Sequence, residues 1–166
     1  MFKRIFIVLI AIFIFAQYVG TSHSASSDSG SSDSYMDQYK EAKKFVERAK
    51  KLEEKDKTDR ANKLYSKALS NLQVAYNTDR NNPDILNYLG FTLRKTGKLK
   101  EAEKFYLAGL KIKPDHNGIN EYLGELYVVT NRLDLAKDRL KVLEGCNCEE
   151  FNELKAVIDG SKKSKY

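Results

Sequence analysis

The residues best placed to do chemistry are two cysteines separated by a single residue, Cys146 and Cys148. In an oxidising compartment such a pair favours a disulfide, and a bond between cysteines this close would close a small, tight ring at a turn. Three interpretations stay open from the sequence: a local structural disulfide, free thiols or intermolecular pairing, and redox exchange or binding of a soft metal such as Cu(I). Two thiolates are too few for a closed zinc site.

The two histidines do not indicate catalysis. His23 lies in the N-terminal segment, and His116 follows Pro114 at a position where its side chain would cap a helix. No Ser/His/Asp set, phosphate-binding glycine loop or cleft with paired carboxylates can be assembled, because the acids alternate with lysines along helical segments. We therefore expect a non-enzymatic protein with no catalytic residue, cofactor or metal site.

The N-terminus has the layout of a secretory signal. Lys3 and Arg4 precede an unbroken apolar run over residues 5–16, and small residues allow cleavage after Ser22 or Ser24. As a helix this run rises about 18 Å, well short of a hydrocarbon core of roughly 30 Å. We expect export to the periplasm or beyond; the alternative is an uncleaved segment that tethers the protein to the inner membrane, its only expected membrane contact.

Composition changes sharply on either side of the central region. After the expected signal peptide of residues 1–24, residues 25–34 are rich in serine and are expected to form a disordered linker, while residues 160–166 form a basic tail. The 29 Lys and Arg residues exceed the 23 Asp and Glu residues by only +6, and part of that excess lies in the leader and the tail. The folded region is close to balanced, so we expect no nucleic-acid partner.

Residues 35–159 show helical periodicity and a repeat. Apolar residues recur with the helical period, and no stretch alternates convincingly with period two, so the expected fold is all-α. The sequence Asn87-Tyr88-Leu89-Gly90 returns further along the chain as Glu121-Tyr122-Leu123-Gly124. A glycine in the middle of a helix costs about 1 kcal/mol relative to alanine, so its use at both places indicates that a neighbouring helix approaches closely.

The 34-residue period that separates these two segments resembles that of the tetratricopeptide repeat (TPR), a helix-turn-helix unit. The positions that carry the resemblance are Leu86, Leu89, Gly90, Ala102, Tyr106 and Pro114 in the middle unit and Leu123, Gly124, Tyr127 and Ala136 in the next. The resemblance implies a TPR-type α-solenoid of about three helix pairs. The expected units are a divergent first hairpin at 35–80, repeats at 81–114 and 115–148, and a C-terminal capping helix at 149–159.

The segment Cys146-x-Cys148-Glu149-Glu150-Phe151 resembles exported bacterial TPR proteins that carry a cysteine pair at this place. This resemblance by itself implies no function.

Proteins that resemble this one use the concave face, lined by the first helix of each pair, as the ligand groove. Helical spacing places these residues there: Asn87, Phe91, Arg94, Lys95, Glu121, Glu125 and Val128. Phe91 and Val128 are the apolar candidates, with packing against neighbouring helices as the alternative. Glu121 and Glu125 oppose a carboxylate, so the groove suits a mixed-charge or basic segment.

The expected function is that of a scaffold or adaptor that binds a peptide or helix of an envelope protein. The alternative is a thiol-redox or copper-handling accessory protein that uses Cys146 and Cys148.

Overall fold

The structure is a computed structural model, and it describes residues 29–164. Seven helices make up this part of the chain: α1 Ser29–Glu53, α2 Thr58–Thr78, α3 Pro83–Lys95, α4 Leu99–Ile112, α5 Asn117–Val129, α6 Leu133–Leu143 and α7 Glu149–Ile158. Residues 29–164 contain no β-strand. The predicted all-α class is therefore confirmed.

The first six helices form three antiparallel hairpins, α1–α2, α3–α4 and α5–α6, and α7 packs against both helices of the last hairpin. The period of the sequence is visible in the helix boundaries themselves. Helices α3 and α5 begin at Pro83 and Asn117, and α4 and α6 begin at Leu99 and Leu133. Helix α2 ends at Thr78, one period before the end of α4, but it begins earlier than the repeat requires. The first hairpin is therefore longer than the other two.

The hairpin turns repeat with the same spacing. Gly97 has a φ of 79° and Asn131 has a φ of 58°, so both turns pass through the left-handed region that glycine and asparagine tolerate best. The backbone N–H of the following residue then bonds to a carbonyl in the last turn of the preceding helix: Lys98 to Leu93 at 2.9 Å and Arg132 to Tyr127 at 2.8 Å. Equivalent residues thus direct the chain into the second helix of each pair in the same way.

The helix starts show why the first helices of the two repeats are in register. The Asn82 side chain accepts hydrogen bonds from the backbone N–H groups of Asp84 and Ile85, at the N-terminus of α3. His116, at the equivalent position of the next repeat, accepts the N–H of Ile119 through Nδ1 at 3.2 Å. The predicted capping role of His116 is thereby confirmed.

Small residues allow the helices to approach closely. Ala68, Ala102 and Ala136 are fully buried at equivalent positions of the three second helices. A Cβ atom on Gly90 would lie 2.4 Å from the Tyr106 ring, across the same hairpin, whereas a Cβ on Gly124 would lie 2.5 Å from Leu154 of α7. The two glycines therefore serve the same purpose with different neighbours: Gly90 faces the second helix of its own hairpin, and Gly124 faces α7.

The N-terminal predictions are only partly within the described residues. The predicted signal peptide at 1–24 and the first part of the linker at 25–34 lie outside them. The later part of that linker is helical, because α1 begins at Ser29 and not near residue 35. This corrects the prediction that the linker is disordered up to residue 34. The amphipathic stripe nucleates α1, and each residue added at the start of the helix then contributes another backbone hydrogen bond. None of the helices in residues 29–164 has both the length and the apolar content that a membrane span requires.

Candidate functional site

The first helices of the hairpins and the capping helix enclose a cavity of about 680 Å³ on the concave side of the solenoid. Its walls come from the end of α1, the start of α2, the facing sides of α3 and α5, the start of α7 and the segment after α7. The lining residues are Lys50, Glu53, Glu54, Thr58, Phe91, Arg94, Lys95, Glu121, Tyr122, Glu125, Glu149, Glu150, Glu153, Lys162, Lys163 and Ser164. Most of them are charged, so the cavity suits a polar or charged ligand.

A buried ion pair joins the two repeats across the floor of the cavity. Arg94 of α3 and Glu125 of α5 are far apart in sequence, and their side chains meet at 3.1 Å with only 2% and 9% of their surfaces exposed. Arg94 also donates to the backbone carbonyl of Tyr122 at 3.0 Å and lies over the rings of Phe91 and Tyr122. Such a pair holds the two helices in one relative position, because removing either partner would leave a buried charge.

A second polar network closes the side of the cavity nearest the first hairpin. The Lys95 ammonium lies 2.8 Å from Glu53, and the Tyr65 hydroxyl donates to the other oxygen of the same carboxylate at 2.9 Å. Burial, followed by the hydrogen bond to Glu53, raises the pKa of Tyr65, so the phenol stays protonated at neutral pH. The end of α1 is thus fixed to α3 by polar contacts as well as by packing.

The opposite side is strongly acidic, and we call it the acidic end: Glu121 and Glu125 from α5 with Glu149, Glu150 and Glu153 from α7. Burial raises the pKa of Glu121 from its ordinary 4.5 to about 8, and the negative charge of Glu125 adds to the effect while Arg94 opposes it. A substantial part of the Glu121 population is therefore protonated at neutral pH. A cation entering this end would favour the ionised form.

The chain places its own basic residues beside the acidic end. After α7, Gly160 adopts a φ of 75°, and the Lys162 N–H bonds back to the Ala156 carbonyl at 3.0 Å, so the chain turns towards the cavity. The Lys162 ammonium then pairs with Glu153, which raises the Lys162 pKa. The Ser164 hydroxyl donates to Glu125 at 3.4 Å.

Five of the seven residues predicted for the groove line this cavity: Phe91, Arg94, Lys95, Glu121 and Glu125. The other two, Asn87 and Val128, do not line it.

Both departures have a packing cause. Asn87 is buried with its amide against the start of α5, where its Nδ2 would lie 2.9 Å from a Cβ on Gly118. Val128 is partly buried and packs against the core formed by the second and third hairpins.

The expectation that Phe91 is an exposed apolar contact also needs correction. Only 6% of Phe91 is exposed, and its ring meets Tyr65 at 6.1 Å and Tyr122 at 5.0 Å between centroids. Phe91 therefore forms part of the cavity floor and is held by α2 and α5. The structure thus has the alternative arrangement, in which Phe91 packs against neighbouring helices.

The sequence pattern missed four parts of the site: the end of α1, the start of α2, the acids of α7 and the segment after α7. For residues 149–159 the sequence predicted only a capping helix. The spacing of its glutamates was a usable signal, because Glu149 and Glu150 each lie about one turn before Glu153, on one side of a terminal helix. Nothing in the spacing alone indicates that this side turns towards α5.

Cys146 and Cys148 form a disulfide with each other in the loop between α6 and α7. In this form neither sulfur is a thiolate, and both cysteines of the chain are used. Among residues 29–164 no group of three or more His, Cys, Asp and Glu side chains could hold a metal ion. The disulfide fixes the turn that precedes α7 and so helps to position its acids.

Comparison with known proteins agrees with this architecture. The family model of the tetratricopeptide repeat matches residues 83–116, which comprise α3, α4 and the start of the next unit. The fold is thus an all-α solenoid of the tetratricopeptide-repeat type, with one repeat identified by sequence. No curated protein matches the chain.

Two solved structures illustrate the likeness. One is the Yersinia enterocolitica type III secretion chaperone SycD in complex with a peptide of the translocator YopD, with 18% identity, 71% of this chain and 86% of that chain covered, and a TM-score of 0.47. The other is the first TPR of Spaghetti (RPAP3) bound to the HSP90 peptide SRMEEVD, with 22% identity, 76% and 96% coverage and a TM-score of 0.48.

Proposed function

We propose that this protein is a protein-interaction adaptor that holds a peptide or helix of a partner protein in the concave cavity. The observation that carries the proposal is the cavity itself, about 680 Å³ in volume and lined by charged side chains from all three hairpins and α7. A solenoid of this type presents a continuous concave surface, and such surfaces are used to bind extended or helical segments. The role is binding and not catalysis.

The chemistry of the lining supports a partner segment that is basic or of mixed charge. The acidic end offers carboxylates, whereas towards the first hairpin Lys50 and Lys95 are balanced by Glu53 and Glu54. A segment with its basic residues at the α7 side would meet complementary charge there, which favours one orientation over the other.

The N-terminal pattern of charge and apolar run supports export, so we place the protein in the bacterial periplasm, with retention by an uncleaved inner-membrane anchor as the alternative. The partner would then be a protein of the cell envelope. The disulfide leaves no thiolate to bind Cu(I) in this form, and it is equally the oxidised state that a thiol-redox pair would have.

Affinity capture from an envelope fraction tests the proposal with charge-matched variants. Glu54→Lys with Glu149→Lys changes two exposed residues of the cavity rim, and Glu101→Lys with Asp134→Lys makes the same charge change on exposed residues of α4 and α6. We expect the rim variant to lose specific partners that the control variant retains and that added wild-type protein displaces. Equal capture by both variants would contradict a role for the cavity.

A further inference from the structure

Glu121 differs from every other carboxylate of the acidic end. It is only 8% exposed, it lines the cavity, and among the described residues neither a hydrogen bond nor an ion pair reaches its carboxylate. Glu125 has Arg94 and Ser164, and Glu153 has Lys162. A buried carboxylate without a partner is costly, so its presence in a cavity wall points to a group that arrives from outside.

The surroundings of Glu121 show which kind of group would be accepted. The charged and titratable groups that act on it are Arg94 from α3, Tyr106 from α4, Tyr122 and Glu125 from α5, Glu150 and Glu153 from α7, and Lys162 after α7. Arg94 is already paired with Glu125, and Lys162 with Glu153. Glu121 and Glu150 therefore remain as acidic groups not neutralised by these two pairs, so the site is complementary to a cation.

We propose that Glu121 is the acceptor for a lysine side chain of the partner segment, whose ammonium group enters the acidic end and forms an ion pair with the Glu121 carboxylate. The inference rests on the proposed function and adds the chemistry of the segment that is bound. Lysine fits better than arginine because its compact ammonium, on a flexible stem, can reach a recessed carboxylate as a point charge, whereas the wider guanidinium needs room to face both carboxylate oxygens.

The chain itself supplies a precedent for this recognition. Lys162 reaches Glu153 and Ser164 reaches Glu125, so a basic segment already lies along the rim of the same end. With that segment in place, Glu121 still has no partner among the described residues. The position beside the Glu121 carboxylate can therefore accept an additional ammonium group from a second chain.

Proton release on binding distinguishes this role from a structural one, because a residue that only supports the fold would release no proton when the peptide binds. The full chain is titrated at pH 7 with an acetylated and amidated tetralysine peptide, by calorimetry in two buffers of different ionisation enthalpy. Because the pKa of Glu121 is about 8, roughly nine-tenths of it is protonated at pH 7, and an incoming ammonium would drive that proton off. We expect release of about 0.9 proton per peptide from the wild type.

Glu121→Gln should abolish the release and weaken binding about tenfold. The matched control is Glu101→Gln, at an exposed residue of α4 that does not line the cavity, which should release the same proton as the wild type. A peptide of acetylated lysines should not bind. Binding without proton release, or release unchanged in Glu121→Gln, would overturn the role of Glu121.

Two further outcomes separate this inference from the proposed function. If Glu121→Gln binds tetralysine normally while Glu54→Lys with Glu149→Lys does not, the cavity still binds peptides and only the lysine role fails. If spermidine binds with the same proton release and displaces the peptide at equal concentration, the site recognises free amines, and the assignment to a peptide lysine is overturned.

Discussion

Replacing Glu121 with glutamine is expected to stabilise the protein by an amount that grows with pH. Burial raises the pKa of Glu121 in the folded state from its ordinary 4.5 to about 8. Between these two values the folded state holds a proton that the unfolded state has lost, so the wild type loses stability as pH rises through this window. Below pH 4.5 the carboxyl is protonated in both states, and the penalty is absent.

The magnitude follows from the size of the shift. Each pKa unit corresponds to about 1.4 kcal/mol, so the penalty reaches about 3 kcal/mol at pH 7 and about 5 kcal/mol above pH 8. These are upper bounds for the gain from a glutamine that keeps the shape and cannot ionise. The remaining carboxylates titrate in both proteins, so the difference between the two isolates Glu121 to first order.

Urea unfolding followed by helical circular dichroism at pH 5, 7 and 9 measures this difference. Glu149→Gln is the control, because the side chain it replaces is exposed. The reasoning is refuted if the stability difference between Glu121→Gln and the wild type is the same at pH 5 and pH 9, or if the control shows the same slope.

Three other changes test the packing, each measured as a change in the free energy of unfolding by urea. Gly90→Ala places a methyl group 2.4 Å from a buried aromatic ring, and overpacking of about 1–3 kcal/mol should exceed the gain of about 1 kcal/mol in helix propensity. Arg94→Met should cost about 3–5 kcal/mol because Glu125 stays buried without its ion pair, and adding Glu125→Met should recover much of that loss. Replacing Cys146 and Cys148 with serine should cost about 1.5 kcal/mol, the small value that so short a loop implies in the chain-entropy model.

Each of these has an internal control. Gly109→Ala meets only the terminal methyl of a flexible isoleucine side chain, so it should cost less than Gly90→Ala; the reverse order would refute the packing account. For the ion pair, the two charges are not coupled if the stability loss of the double variant equals the sum of the losses of Arg94→Met and Glu125→Met. For the cysteines, a reducing agent should lower the stability of the wild type to that of the serine variant and leave the variant unchanged.

The repeat was predictable from sequence because it rests on local rules that recur at a fixed interval. Gly90 and Gly124, Asn82 and His116, and the turn residues Gly97 and Asn131 each occupy equivalent positions in successive repeats. Helix caps and positive φ angles depend on a few neighbouring residues, so the sequence shows them directly. The start of α1 was missed because the serine-rich stretch offers many Ser and Asp residues that could each cap a helix and no apolar periodicity to choose between them.

The site was predictable only where the spacing of residues within a single helix determines which side chains line the cavity. The spacing within α3 and α5 identified five lining residues, but it left open whether neighbouring helices cover Phe91 and Val128. Phe91 and Val128 are packed because neighbouring helices lie over them, and helical periodicity carries no information about such tertiary contacts. The acids of α7 reach the cavity for the same reason, since the turn closed by the disulfide sets the direction of that helix.

The most direct test of the account is site-specific photo-crosslinking from opposite faces of the solenoid. A benzophenone side chain is introduced in place of Glu54, an exposed residue of the cavity rim, or in place of Lys104, an exposed residue of α4 that does not line the cavity. The account predicts that, in an envelope fraction, only the variant at residue 54 forms a discrete adduct, and that unlabelled wild-type protein suppresses it. The same adduct from residue 104, or an adduct from that position alone, would contradict binding in the cavity.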